Sequence, residues 1–289
     1  MNGTAIVSLD CEGKWGVADH LGAAGADRLT DERLRAAYQA ITAVLDDHQT
    51  PATFAFVELF LTSDRLRQLE FARMLSGEQP YLSGATAALE AGDEGWSAPW
   101  ALDLLHDRHE AATHGFSHTP WNQLTQAQAA REIELVPAER RRTMVYPRNL
   151  VAHAHLLQDH GCVGYRGARQ STSRLGSLAS EFNVFTPSEA PGERTSPAEI
   201  PGGVFINWLS GGRRLVPPAI TRLRARRIIA HAARTGGVAH FWTHPENIAT
   251  HPETLRNFRA VIEEIAMASE RGEIRAMTQA GFLVSGETD

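Results

Sequence analysis

Residues 5–13 read Ala5-Ile6-Val7-Ser8-Leu9-Asp10-Cys11-Glu12-Gly13. A short apolar run that ends directly in carboxylates and a glycine is typical of a buried strand whose end carries chemistry. Residues two apart on a strand point to the same side, so we expect Asp10 and Glu12 to face one site while Cys11 turns away. The same pair also fits a plain strand-end cap, and the motif by itself does not choose between the two.

Further apolar runs alternate with stretches of helical periodicity along the whole chain. They predict strands over 5–9, 52–57, 110–114, 143–146, 204–207 and 238–243. Helices are expected to begin near Asp31, Asp64, Thr125, Leu150, Pro218 and Pro252. Thr125 with Gln128 three residues later reads as a capping box. This alternation predicts an α/β fold built on a parallel sheet.

Two architectures fit such a pattern, an open doubly wound sheet and a closed barrel. No GxGxxG follows the first strand and no GxxxxGK occurs, so the sequence lacks the phosphate-binding motifs of nucleotide-binding doubly wound sheets. Their absence favours a barrel. We expect residues 1–289 to form a single domain. Glycine and proline predict irregular excursions over about 76–99, and serine, proline and glutamate predict another over about 171–197.

Composition and charge exclude several classes of partner. The 289 residues carry a formal net charge of −6, which argues against nucleic acid and anionic membranes. No run approaches the roughly 18 apolar residues that span a bilayer, so no integral membrane segment is expected. Only two cysteines occur and no signal peptide is evident, which predicts a cytoplasmic protein; oligomerisation stays open.

Histidines follow two of the predicted strands. His114-Gly115-Phe116-Ser117-His118 closes the strand at 110–114, and two imidazoles four residues apart can bind one metal ion if the segment turns helically. His244 ends the strand at 238–243, where it can donate a proton to a leaving amine. Surface or core histidines remain the alternative for both motifs, and His240 is expected to be packed.

Arginine and aromatic residues stand near the same strand ends. Arg148, within Tyr146-Pro147-Arg148-Asn149, can fix a carboxylate through paired donors, although a solvated loop arginine fits equally well. Several tryptophans lie close to these motifs, where they can stack on a sugar ring or fill the core. They are Trp15, Trp121, Trp208 and Trp242.

The order of these motifs resembles the polysaccharide deacetylases, the NodB-type family 4 carbohydrate esterases. Resemblance runs from residues 8–13 through 109–118, 146–149 and 164–167 to 242–245, and 109–118 is its most specific piece. It implies a distorted (β/α)7 barrel with one divalent metal ion. Zinc is expected, with cobalt, nickel or manganese as alternatives.

The resemblance also implies a role for each motif residue. Glu12, His114 and His118 would be the metal ligands, Asp10 the general base and His244 the general acid. Arg148 would orient Asp10. The order Pro147-Arg148 reverses the usual one, which makes Arg166 the rival for that role. Substrate contacts are expected from Trp208, Tyr146, Asn149, Trp242 and Arg166.

Two further features differ from the usual family pattern. The first motif places Glu12 two residues after Asp10, where two aspartates are usual, and Asn207-Trp208 stands where an Asp-Trp pair often flanks the catalytic histidine. Trp208 can still form a wall of the acyl pocket.

The function implied is hydrolysis of an N-acetyl or other N-acyl group on an amino sugar. The substrate would be a small, nucleotide-linked or lipid-linked intermediate inside the cell. Two alternatives stay open. One is a metal-independent hydrolase of cyclic amides on a related barrel, and the other is a non-catalytic carbohydrate-binding protein.

Overall fold

Nine strands in the described part of the chain form one sheet in the computed structural model, which describes residues 3–22, 25–168, 182–191 and 196–285. The strands are β1 (Gly3–Cys11), β2 (Thr53–Phe56), β3 (Glu110–Thr113), β4 (Thr143–Val145), β5 (Gly164–Arg166), β6 (Ala198–Ile200), β7 (Val204–Phe205), β8 (Val238–Thr243) and β9 (Ile274–Met277). Parallel ladders join them.

Helices connect these strands in the predicted alternation. They are α1 (Asp31–Asp47), α2 (Arg65–Ser76), α3 (Ser83–Glu90), α4 (Gln126–Glu134), α5 (His155–Asp159), α6 (Pro218–Thr235), α7 (Pro245–Thr250), α8 (Leu255–Glu270) and α9 (Gln279–Ser285). None of these helices is long and apolar enough to cross a bilayer.

Strand β1 lies at the centre of the sheet. The spatial order is β6-β5-β4-β3-β2-β1-β8-β7, and β9 also pairs with β1. One edge of β1 pairs with β8, whereas β9 and β2 share the other edge, β9 along its first half and β2 along its second. The sheet curls into a distorted barrel, so the predicted α/β barrel is confirmed.

Several helix starts follow the local chemistry of the sequence. The side chain of Thr30 caps α1 and that of Asp64 caps α2 by accepting backbone N–H groups. The predicted capping box at the start of α4 is present, because Thr125 and Gln128 each bond the other's backbone N–H.

The structure departs from the sequence prediction in four places. Strands β5, β6 and β9 were not predicted, since three or four residues give too short a pattern to recognise. No helix begins near Leu150; α5 starts at His155. The irregular segment predicted over 76–99 contains helix α3. The helix predicted to begin near Pro252 is α8, which begins at Leu255 after a short turn at Pro252. Of the excursion over 171–197, residues 171–181 and 192–195 lie outside the described residues.

The main hydrophobic core packs the faces of β1, β2 and β8 against the surrounding helices. Phe54 on β2 is fully buried there and stacks on Phe56 with ring centroids 6.3 Å apart. A second cluster lies below β4 and β5 and includes Trp121, Tyr146 and Tyr165. These two cores hold the carboxyl ends of the strands in fixed positions.

We expect the Phe54→Ala variant to lower the free energy of unfolding by about 3–5 kcal/mol, because it leaves a cavity in a packed core. Urea unfolding followed by circular dichroism measures the change. Phe185→Ala is the matched control: Phe185 is 80% exposed, so its change should stay within about 0.5 kcal/mol. Equal losses for both variants would contradict the assignment of the core.

Candidate active site

The carboxyl ends of β1, β3, β5 and β8 bring the predicted site residues together. Asp10 is on β1 and Glu12 follows it. His114 follows β3, Arg166 is the last residue of β5, and His244 follows β8. Parallel strands in a barrel place these ends around one mouth.

Three of these residues form a cluster that could hold a metal ion. Ligand atoms of Glu12, His114 and His118 lie within 4.8 Å of one another. Glu12 Oε2 is 2.7 Å from His118 Nε2 and 3.4 Å from His114 Nε2. Both imidazoles are buried, and the glutamate is half-buried. The structure therefore gathers the three ligands expected from the sequence.

The far side of each imidazole is hydrogen-bonded to a fixed partner. His114 Nδ1 lies 2.8 Å from the carbonyl oxygen of Val145, which can only accept, so Nδ1 carries the proton. His118 Nδ1 lies 2.8 Å from the hydroxyl of Tyr81, whose own proton points to the carbonyls of Trp15 and Gly16. His118 Nδ1 is therefore a donor as well. In both rings Nε2 is left with a lone pair that faces Glu12.

The chemistry of these residues fits a cation site. Nε2 of His118 is buried and has no hydrogen-bond partner among the described residues. Burial also lowers the pKa of His118, which favours the neutral imidazole that binds metals. Burial alone would raise the pKa of Glu12, but positive charge beside it, such as that of protonated His118 and His244, lowers the pKa well below its ordinary value, so the carboxylate favours a neighbouring cation. One carboxylate and two neutral imidazoles are a donor set that suits zinc and related ions.

Two glycines let Glu12 reach this position. Gly13 adopts a left-handed φ of +52°, and a Cβ there would lie 2.4 Å from the ring of Phe60. A Cβ on Gly16 would lie 2.2 Å from the Glu12 carboxylate. The carboxylate passes over Gly16 at a distance that only glycine permits.

The segment from His114 to His118 is held from below by Glu132, which the sequence analysis missed. Its buried carboxylate accepts the backbone N–H groups of Phe116 at 3.1 Å and Ser117 at 2.9 Å, and the Ser117 hydroxyl at 2.6 Å. Burial raises the pKa of Glu132. Its position in the sequence, a glutamate on the apolar face of α4 directly before the buried Ile133, could have indicated a buried carboxylate.

Glu246 supports Glu12 in the same way and was also missed. Its Oε1 accepts the backbone N–H groups of Glu12 at 3.2 Å and Gly13 at 2.7 Å. Burial raises the pKa of Glu246 well above its ordinary value, and the charge of Glu12 adds to that rise. Two buried glutamates thus fix the backbone on both sides of the ligand cluster.

Arg166, and not Arg148, holds Asp10. The Arg166 guanidinium donates to both oxygens of Asp10 at 2.6 Å, and also bonds Ser8 at 3.0 Å and Asn149 at 2.7 Å. Burial would raise the pKa of Asp10, yet Arg166 lowers it below the ordinary value, so the carboxylate stays ionised.

The prediction that Arg148 orients Asp10 is therefore wrong. The turn after β4 gives Arg148 a left-handed φ of 57°, and its half-exposed side chain pairs with Asp19 at 2.6 Å. Its guanidinium lies 5.0 Å from the ring centre of Tyr81, at the rim of the site.

His244 borders the same space from the opposite strand. Its Nε2 lies 3.8 Å from Asp10 Oδ2 and 3.6 Å from Glu12 Oε1. Its ring packs against Trp242 and Phe205, with centroids 5.7 and 6.1 Å apart. The deeper His240 is buried between Ser8 and the Pro201 carbonyl, and burial lowers its pKa to about 3, as expected for a packed histidine.

Two of the five residues predicted to contact substrate have buried side chains. Tyr146 is fully buried and packs between Trp121 and Tyr165, where no substrate reaches it. Arg166 is 1% exposed, and its two terminal nitrogens bond Asp10, Ser8 and Asn149.

The other three predicted contacts remain predictions. The Asn149 side chain accepts a hydrogen bond from Arg166. The ring centroid of the half-buried Trp242 lies 4.7 Å from the Arg166 guanidinium carbon. Trp208 is also half-buried and donates its Nε1–H to His251 at 3.1 Å. Trp15 and Trp121 are buried core residues.

Solved structures share this architecture. A structure assigned as a polysaccharide deacetylase from Mycobacterium smegmatis matches with a TM-score of 0.57 and 16% identity, over 99% of this chain and 91% of that one. The chain has the fold of the polysaccharide deacetylases. The allantoinase PuuE matches with a TM-score of 0.58 and 11% identity, over 99% and 92% of the two chains. No protein-family model and no curated protein matches the chain.

We expect the Glu132→Ala variant to bind zinc about 10 to 100 times more weakly, because the donors of Phe116 and Ser117 lose their common acceptor and the ligand segment loosens. Competition with a zinc-binding dye measures the affinity. Glu132→Gln keeps one acceptor and should lose less. Glu134→Ala, on the exposed face of the same helix, should bind zinc as the unmodified protein does. Unchanged affinity in folded Glu132→Ala protein would refute this support role.

Proposed function

We propose that the protein is a metal-dependent hydrolase that removes an N-acyl group, most simply acetyl, from an amino sugar. One observation carries this proposal: a carboxylate faces the lone pairs of two neutral imidazoles, with an ionised Asp10 and His244 beside them. The likeness to solved structures supports the fold but does not choose the reaction, since a deacetylase and an allantoinase match similarly well.

Glu12, His114 and His118 would hold the divalent metal ion, for which zinc is the first candidate and cobalt, nickel and manganese are alternatives. When bound, such an ion acidifies water and polarises an acyl carbonyl. Three protein ligands are the number that catalytic zinc sites use, because they leave positions open for water and substrate.

Asp10 would act as the general base. Its carboxylate stays ionised because Arg166 compensates its burial, and its Oδ2 lies 3.8 Å from His244 Nε2. Both oxygens bond Arg166, but each keeps a second lone pair, so a water proton can still be accepted. Arg166 fixes the direction of those lone pairs.

His244 would act as the general acid. When the C–N bond breaks, its electron pair moves to nitrogen, and His244 Nε2 supplies the proton that the leaving amine needs. The acyl group leaves as the acid, with its new oxygen taken from water. Trp242 and Phe205 line the same side and could contact an acyl methyl group or the apolar face of a sugar.

We also propose that the substrate is a small, nucleotide-linked or lipid-linked amino sugar of the cytoplasm. Trp242 and the more distant Trp208 offer half-buried aromatic faces, and Asn149 offers an amide near Asp10. Trp208 as a wall of the acyl pocket belongs to this proposal.

Metal removal provides the main test. Purified protein should bind one equivalent of zinc and release acetate from a panel of N-acetylated amino sugars, and a chelator followed by dialysis should abolish acetate release. Added zinc or cobalt should restore it. His114→Ala and His118→Ala should lose the metal, as measured by elemental analysis, because each removes one of three ligands.

This experiment separates the three functions considered above. Activity that survives in metal-free protein would favour the metal-independent cyclic-amide hydrolase. Sugar binding without acetate release from any member of the panel would favour a carbohydrate-binding protein. Either result would overturn the proposed deacetylase.

The two arginines give a second prediction. Arg166→Lys keeps the charge but loses the paired geometry at Asp10, so we expect kcat to fall about a hundredfold, as small misplacements of catalytic groups do. Arg148→Lys is the matched control and should leave kcat within about threefold, since Arg148 pairs with Asp19 instead. Acetate release measures both variants. The reverse order of effects would return the orienting role to Arg148.

A further inference from the structure

The second ring nitrogen of His244 contacts an amide and not a carboxylate. Asn247 Nδ2 lies 3.3 Å from His244 Nδ1. Asn207, the residue that sequence comparison placed beside the catalytic histidine, is fully buried elsewhere. Its side-chain Nδ2 donates to the Arg213 carbonyl at 3.2 Å, and its backbone carbonyl oxygen accepts from Asn257 Nδ2 at 3.0 Å.

Asn247 is fixed firmly relative to His244. It lies in the first turn of α7, which begins directly after His244 with Pro245 at its first position. The backbone N–H of Asn247 donates to the His244 carbonyl at 3.1 Å, and the residue is 8% exposed. The contact between the side chains therefore does not depend on a mobile loop.

An asparagine can hydrogen-bond Nδ1 of the histidine ring in both protonation states of the ring. Its amide nitrogen donates to Nδ1 when that nitrogen holds a lone pair, which keeps the proton on Nε2, on the side of Asp10 and Glu12. After rotation by 180°, its carbonyl oxygen accepts from Nδ1–H when the ring is doubly protonated. A general acid passes through both states in each turnover.

We propose that Asn247 is the positioning residue of His244 and takes the place of the carboxylate expected there. It holds the ring so that Nε2 faces the reacting nitrogen, whichever state the ring is in. This inference rests on the proposed function of His244 as proton donor.

A comparison of leaving groups tests the proposal. A leaving amine needs a proton from His244, whereas 4-nitrophenolate leaves without one. We therefore expect Asn247→Ala to lower kcat at least a hundredfold for whichever N-acetylated amino sugar of the panel the unmodified protein cleaves fastest, the usual scale of general acid catalysis, and to change kcat for 4-nitrophenyl acetate by less than about threefold. Asn247→Asp retains an acceptor for Nδ1–H and should recover most of the lost amide activity. Asn122→Ala, an exposed asparagine, is the control.

The ring itself gives a readout that is independent of activity. In protein labelled with ¹⁵N-histidine, the His244 signals are identified by their absence in His244→Ala. The unmodified protein should show one dominant protonation pattern at Nδ1 and Nε2, and Asn247→Ala should move both shifts toward the average of two tautomers. Identical shifts in the two proteins would overturn the proposal.

The kinetic outcomes are equally decisive. Equal losses on the amide and the ester, or no loss on either, would also refute the role of Asn247. If the unmodified protein cleaves the ester but no amide of the panel, the proposed function fails, and the ¹⁵N shifts still decide whether Asn247 positions the ring.

Discussion

A carboxylate placed against two lone pairs is the constraint on which the site depends. Val145 and Tyr81 take the Nδ1 protons of His114 and His118, so both Nε2 atoms turn their electron density toward Glu12. Negative and electron-rich groups at 2.7 and 3.4 Å repel each other unless a cation lies among them. The backbone hydrogen bonds around the cluster hold that arrangement in place, which supports the proposed cation site.

Three buried ionisable side chains provide most of this support. Glu132 fixes the segment after β3, Glu246 fixes the turn after β1, and Arg166 fixes Asp10. Buried charged groups are unfavourable unless they are hydrogen-bonded, and each of these side chains makes more than one hydrogen bond to residues around the ligand cluster. Loss of one partner leaves the others unsatisfied. The precision of the site therefore depends on residues that never face the substrate.

The sequence predicted the parts of the site that directly follow the predicted strands β1, β3 and β8. β1, β3 and β8 end in recognisable motifs, and the structure gathers Asp10, Glu12, His114 and His244 as those motifs implied. Arg148 was preferred over Arg166 because it follows the predicted strand β4, whereas β5 was not predicted and its Arg166 therefore lacked a position in the sheet. Glu132 and Glu246 could not be assigned, because periodicity shows that a residue is buried but not which backbone groups it will meet.

Helix α7 couples the two halves of the proposed reaction. In its first turn, Glu246 bonds the backbone of Glu12 while Asn247 bonds the ring of His244, and these two residues are adjacent in the chain. A shift of this turn would disturb the contacts of both Glu12 and His244, whose Oε1 and Nε2 atoms lie 3.6 Å apart. Proline at the first helical position restricts the backbone that such a shift would need. The relative position of Glu12 and His244 therefore depends on this turn as well as on the direct pairing of β1 with β8.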